Sequence, residues 1–196
     1  MTPWVNEGFF ADVVVLVEGE DDLSAIQGTA KSRDISLDAV GISVIPCGGK
    51  NNLDRPALIF KTLGIPTYVV WDSDKGDQQC IETNRRLLRL VGEAEEDFPC
   101  TIKDSFACFE RRLEDTLRQE LGEEVFDKTT RELQREFEAA NPNDCLKRPL
   151  LFSELIKRAA VAQATSKSLT AILDKILALQ KPPATAGANP SNSASN

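Results

Sequence analysis

Val-rich runs and amphipathic segments alternate through the first half of this chain. Residues 12–17 (DVVVLV) end in a continuous apolar run with the length and β-branched content of a strand buried on both faces. DDLSAIQGTAKSRD follows with helical spacing, and its acidic residues fall in the first turn, where the helix dipole favours them. GISVIPC at 41–47 predicts a second strand, followed by the loop Gly48-Gly49-Lys50. NNLDRPALIFKTLG predicts a helix that Asn51 or Asn52 can cap and Gly64 stops. PTYVVWD predicts a third strand, and a polar turn and a helix near 78–91 come next. Strands that alternate with helices in this way imply βαβ units, and so an α/β fold with a mostly parallel sheet flanked by helices.

The pattern changes after that. FPCTIKDSFACFE at 98–110 predicts one or two short strands. From Leu113 to Gln180 the apolar residues recur at helical spacing in LEDTLRQEL, EVFDKTTRELQREFEAA, LLFSELIKRAAVA and SLTAILDKILALQ. Asn141-Pro142-Asn143 interrupts this helical region. PPATAGANPSNSASN has only small, polar, Pro and Gly residues and carries too little apolar surface to order itself. The expected organisation is an α/β domain at 1–110, a helical C-terminal region at 111–181 and a disordered tail at 182–196.

Composition narrows the chemistry. With 196 residues, 41% of them hydrophobic, the chain can bury a substantial core. No apolar stretch is long enough to cross a bilayer, and MTPWVNEGFF lacks the basic-then-apolar order of a secretory signal. Five cysteines with no CxxC pair and no histidine argue against a structural zinc site and fit a reducing cytoplasm. The absence of His also removes Ser-His-Asp and Cys-His catalysis. The net charge of −8 speaks against broad adhesion to nucleic acid, although cations bound to a carboxylate site would cancel part of it.

Two strand ends are acidic. Glu18 closes the first Val-rich run, and Asp72 and Asp74 close the third strand. In open α/β sheets ligands bind outside the carboxyl ends of the strands, so these three carboxylates are expected to converge. Gathered carboxylates repel one another unless cations lie between them, and all-oxygen donors suit Mg²⁺ or Mn²⁺. Asp22, four residues after Glu18, can face the same pocket, whereas Glu20 and Asp21 are read as favouring the helix N-terminus. Alternate residues of an extended segment point the same way, so Asp72 and Asp74 are expected to act together. An acidic turn with no ligand is the plain alternative for Asp72-Ser73-Asp74.

Glu18-Gly19 and Asp72-Ser73-Asp74, each after a hydrophobic strand, resemble the two motifs of the TOPRIM domain. The intervening GISVIPCGGKNNLDRPALIFKTLGIPTYVVWDSD is similar to the corresponding stretch of OLD-family nucleases, with its Gly-Gly-Lys loop and Leu-Gly-Ile-Pro helix end. The resemblance implies a TOPRIM-like sheet with a helical C-terminal appendage, acting as a metal-dependent DNA endonuclease. It implies two divalent cations, Mg²⁺ or Mn²⁺, with Ca²⁺ as an inactive or supporting ion. Glu18, Asp22, Asp72, Asp74 and Glu114 are the implied ligands, with Asp72 bridging. FERRLEDTL carries the match to Glu114, for which an exposed helix carboxylate is the plain reading. CLKRPLLFSELI implies Lys147 as the cation on the scissile phosphate, and Arg148 stands between it and Pro149, so the register admits either residue. Lys50 and Gly49 are the implied DNA contacts.

OLD proteins carry an ATPase domain before this region, and no GxxxxGK[ST] motif occurs here. The implied partners are DNA and an ATPase domain in the same or a separate chain, with a homodimer formed through that ATPase part. Two other readings remain open. A non-catalytic scaffold module in recombination or repair fits the net acidity, whereas Asp22 and Glu114 favour catalysis. A strand-transferring topoisomerase needs a nucleophilic Tyr, and Tyr68, the one tyrosine, lies inside an expected core strand.

Overall fold

The computed structural model describes residues 3–180. The expected tail at 182–196 lies outside them. Five strands form one sheet: β1 (Val13–Val17), β2 (Ile42–Pro46), β3 (Thr67–Asp72), β4 (Thr101–Ile102) and β5 (Phe106–Phe109). Their order is β2-β1-β3-β5-β4. All pairs are parallel except β4 with β5, which is antiparallel.

Parity along β1 explains its composition. Val13, Val15 and Val17 enter one core cluster, and Val14 and Leu16 enter another. Both faces of the strand are covered, so every position is apolar, and each side chain gains about 1.5–3 kcal/mol of transfer free energy on burial. β3 divides in the same way, with Tyr68 and Val70 on the first face and Val69 and Trp71 on the second.

Helices α1 (Pro3–Gly8), α2 (Glu20–Ser32), α3 (Asp54–Thr62) and α4 (Ile81–Val91) belong to the first half, and α5 (Leu113–Leu121), α6 (Glu123–Glu136), α7 (Pro149–Val161) and α8 (Lys167–Ala178) to the second. α3 and α4 supply Ala57, Phe60, Leu87 and Leu88 to the second face. α2 and all four C-terminal helices share the core of the first face. The region expected as an appendage is therefore continuous with the sheet's own core. α7 runs against α2 so closely that a Cβ on Gly28 would lie 2.7 Å from Phe152 Cβ and 2.9 Å from the Pro149 carbonyl oxygen.

Local differences from the expected elements have local causes. The expected helix at 51–64 is split into a 3-10 turn, Lys50–Asn52, and α3. Asn52 does not cap α3. Its amide donates back to the carbonyls of Cys47 and Gly48, each at 3.1 Å. The break at Asn141 is an N-cap: its side chain accepts the Asp144 N–H at 3.1 Å and opens a 3-10 turn, Pro142–Cys145. All five cysteines are free, and among the described residues no helix is long and apolar enough to cross a membrane.

Candidate active site

β1 and β3 are adjacent and parallel, so their carboxyl ends emerge side by side. The Glu18 carboxylate, just past β1, accepts the backbone N–H of Asp72 through Oε1 at 2.7 Å. Asp22 Oδ2 accepts the Gly19 N–H at 3.1 Å, which closes the first turn of α2 and turns the carboxyl inward. Asp72 Oδ1 accepts the Leu113 N–H at 3.1 Å and so caps α5 from across the fold. Each carboxylate is thus aimed by a backbone N–H, and three elements are tied to one another through the site.

A cavity of about 520 Å³ lies above these strand ends. Glu18, Asp21, Asp22, Asp72, Glu114 and Lys147 line it, with Gly48, Gly49 and Arg112 at its edge. Burial pushes the Asp72 carboxyl up to about 8, and the charges of Asp22, Glu18 and Asp74 add to the shift. Burial likewise raises Asp22 to about 7, with further help from Glu18 and Asp21. Glu18 is raised, chiefly by burial, against the lowering effect of the Asp72 N–H. These are the marks of negative groups crowded in a poorly hydrated pocket.

Glu114 and Asp21 form the outer part of the cavity. Glu114 is half-buried and held by Arg118 at 3.1 Å, so it is not the exposed helix carboxylate of the plain reading. Arg118 also binds Asp127 at 2.6 Å and lies 4.5 Å over the Phe126 ring. Asp21 is raised mainly by burial, with the charge of Lys147 opposing the shift and that of Glu114 adding to it. Lys147 and Arg148 are both exposed, and only Lys147 lines the cavity. Sequence reasoning missed Asp21 and Arg112. Asp21 lies three residues after Glu18, a spacing that keeps it within the same helical turn as Asp22.

Two residues expected at the site stand elsewhere. Asp74 does not line the cavity. Its φ of 51° ends the extended run, so the alternation that would have aligned it with Asp72 stops there. Its carboxylate meets the Lys50 ammonium at 2.6 Å. Lys50 is only 7% exposed and also donates to the Asp72 carbonyl, so its ammonium is turned into the protein and away from the DNA role expected for it. Gly49 does border the cavity, at φ 122°, a conformation that suits glycine. Tyr68 is fully buried and its hydroxyl, 3.1 Å from the carbonyl oxygens of both Lys103 and Phe106, donates its one proton within the core, which leaves it no access to a nucleic-acid strand.

The donor set is all oxygen and rich in charge, which fits a hard divalent cation. Among the described residues no three Cys, Asp or Glu side chains are already gathered around one point where an ion could sit.

A parallel sheet with Glu-Gly at one strand end and Asp-Ser-Asp at the next defines a TOPRIM-type α/β protein. Residues 9–74 match the family model of the "Overcoming lysogenization defect protein-like, TOPRIM domain". An OLD nuclease of Thermus scotoductus is 34% identical over 94 residues, which span 47% of this chain and 18% of that protein. The C-terminal region of the Burkholderia pseudomallei OLD protein superposes with a TM-score of 0.60 at 26% identity, covering 88% of this chain and 100% of that one. The C-terminal region of the Xanthomonas campestris pv. campestris OLD protein shares the fold, with a TM-score of 0.54 at 20% identity over 88% of this chain and 96% of that one. Residues 9–74 are an OLD-like TOPRIM domain, and the chain has the fold of the C-terminal region of OLD-family proteins.

Proposed function

We propose that this chain is the nuclease region of an OLD-family protein and hydrolyses DNA phosphodiester bonds with divalent cations. The observation that carries the reading is the meeting of Glu18, Asp22 and Asp72 in one cavity with Lys147 at its rim. A similar region belongs to a protein described as an OLD nuclease. Glu18, Asp22 and Asp72 would hold the cations, with Glu114 and Asp21 completing the outer part of the site. Mg²⁺ or Mn²⁺ bound there would supply Lewis acidity at the phosphate and would lower the pKa of a water.

The chain's own residues have separate tasks. The backbone N–H groups of Asp72, Gly19 and Leu113 fix the carboxylates before any ion arrives. Lys147 would stabilise charge that builds on the scissile phosphate. Arg112, exposed at the cavity edge and without an ion pair among the described residues, would hold a flanking phosphate. The helical region that supplies Glu114 and Lys147 would thereby contribute directly to the site. An ATPase domain in the same or a separate chain would be its partner.

A non-catalytic TOPRIM-like module is the second reading, favoured by the ungathered state of the carboxylates. Incubation of supercoiled plasmid with the protein and Mg²⁺, Mn²⁺, Ca²⁺ or EDTA separates the two. Nicked or linear product with Mg²⁺ or Mn²⁺ and none with EDTA supports the nuclease, and intact plasmid under every condition supports the module.

A further inference from the structure

The Gly48-Gly49-Lys50 loop delivers a cation to the interior, and nothing in the proposed chemistry uses it. Lys50 is 7% exposed, so its ammonium has lost nearly all hydration. A buried ammonium requires oxygen partners, and this one has three. It donates to the Asp72 carbonyl, to Asp74 Oδ2 at 2.6 Å and to Asn84 Oδ1 at 3.4 Å. Asn84 is fully buried on α4 and donates to the Ser73 carbonyl at 2.9 Å and the Asp97 carbonyl at 2.7 Å. Ser73, also fully buried, donates to the Pro99 carbonyl. Every residue of Asp72-Ser73-Asp74 is thus held by a contact that involves its backbone or side chain and none of the cavity carboxylates.

Asp74 shows what this network does. A non-glycine residue at φ 51° adopts a conformation that costs free energy unless its surroundings compensate. The Lys50 ammonium pairs with the carboxylate that this backbone turn presents to it. Asp72 keeps its place in the alternation of β3, on the face of α2 and α5.

We propose that Lys50 is the resident cation of the Asp72-Ser73-Asp74 turn: a positioning residue that takes Asp74 as its counter-ion and leaves Asp72 alone to serve the cavity. The divalent-ion site is then built from Glu18, Asp22, Asp72 and the outer carboxylates, and Asp74 acts through the backbone. This deepens the reading of the cavity as a cation site and rests on it.

Mn²⁺ supplies the test, read by the number of ions bound in calorimetric titration and by anomalous scattering from a crystal soaked in Mn²⁺. Asp74→Asn should bind as many ions as the parent, and Asp72→Asn should lose at least one. In the soaked crystal the Lys50–Asp74 contact should persist at about 2.6–3.2 Å, with Asp74 outside the coordination sphere. Loss of an ion in Asp74→Asn, or an Asp74 oxygen on the metal, overturns the proposal. The pairing has its own readout without metal. Lys50→Met leaves Asp74, 34% exposed, without its ammonium and should lower Tm by roughly 2–6 °C, less than a fully buried pair would give because water reaches the carboxylate. Adding Asp74→Asn to it should recover part of that loss, whereas strict additivity of the two single variants overturns the pairing. If the parent binds no Mn²⁺ at all, the cation-site reading falls while the stability cycle still decides the role of Lys50.

Discussion

Glu18 and Asp72 stand at the ends of neighbouring strands, and the carboxylate of the first accepts the backbone N–H of the second at 2.7 Å. One hydrogen bond therefore fixes the spacing of two acids that repel each other through their side chains. The same bond means that the strand ends cannot drift apart to relieve the repulsion. Relief must come from protons or from cations.

The metal-free protein should accordingly gain stability as the pH falls from about 9 to about 6. Asp72 and Asp22 are raised to about 8 and about 7 from an ordinary value of 3.8. A carboxyl whose pKa is higher folded than unfolded favours the folded state when protonated. Its contribution is whole below the unfolded value of 3.8, declines as the pH rises from there, and is gone once the pH has passed the folded values of about 7 and about 8. Tm measured in EDTA should fall across that window, and saturating Mg²⁺ should flatten the fall. A Tm that rises through the window in EDTA would contradict the crowding of these carboxyls.

Lys147→Ala should slow cleavage by roughly 10²-fold or more, the scale of losing one donor to the transition state. Binding of DNA and of metal should change little, because the contact matters when charge builds on the phosphate. Arg148→Ala should cleave normally, since Arg148 lies outside the cavity lining. Single-turnover rates for the two variants check the assignment, and an inactive Arg148→Ala beside an active Lys147→Ala would move the register by one residue.

Gly28→Ala should destabilise the fold although it adds a single methyl group to a helix. The added Cβ would meet Phe152 Cβ at 2.7 Å, Phe152 Cδ1 at 2.9 Å and the Pro149 carbonyl oxygen at 2.9 Å. Overpacking of this kind costs about 1–3 kcal/mol. Pro149 begins α7 two residues after Lys147, so relief of the clash should also displace the cavity rim. A lower Tm with a slower cleavage rate is the expected pair of results, and an unchanged Tm would show that the α2–α7 contact yields without cost.

The sheet was legible because β1 and β3 are buried on both faces, which leaves Val-rich runs that local periodicity detects. Glu18 and Asp72 were legible for a related reason: an acid that ends such a run needs a purpose. The C-terminal helices were legible as elements, but their packing was not, since nothing local in LLFSELIKRAAVA says that it will lie on α2. Lys50 was misplaced for a physical reason. A lysine beside two glycines suits a phosphate contact, and only the fold, which brings Asp74 at φ 51° against it, reveals an internal partner. Asp21 was passed over because helix-dipole stabilisation already accounted for an acid in a first turn.

The account's central claim is that cations held by this cavity drive cleavage, and Asp72→Asn tests it most directly. Asparagine keeps an oxygen for the Leu113 N–H that Asp72 Oδ1 now accepts, so α5 retains its cap, which alanine would remove. The change removes a negative charge from a crowded pocket, so the metal-free Tm should hold or rise. Conversion of supercoiled plasmid in Mg²⁺ or Mn²⁺, followed for the parent and for Asp72→Asn side by side, should show cleavage by the parent and none by the variant at equal or higher Tm. Cleavage by Asp72→Asn at the parent's rate would contradict the claim.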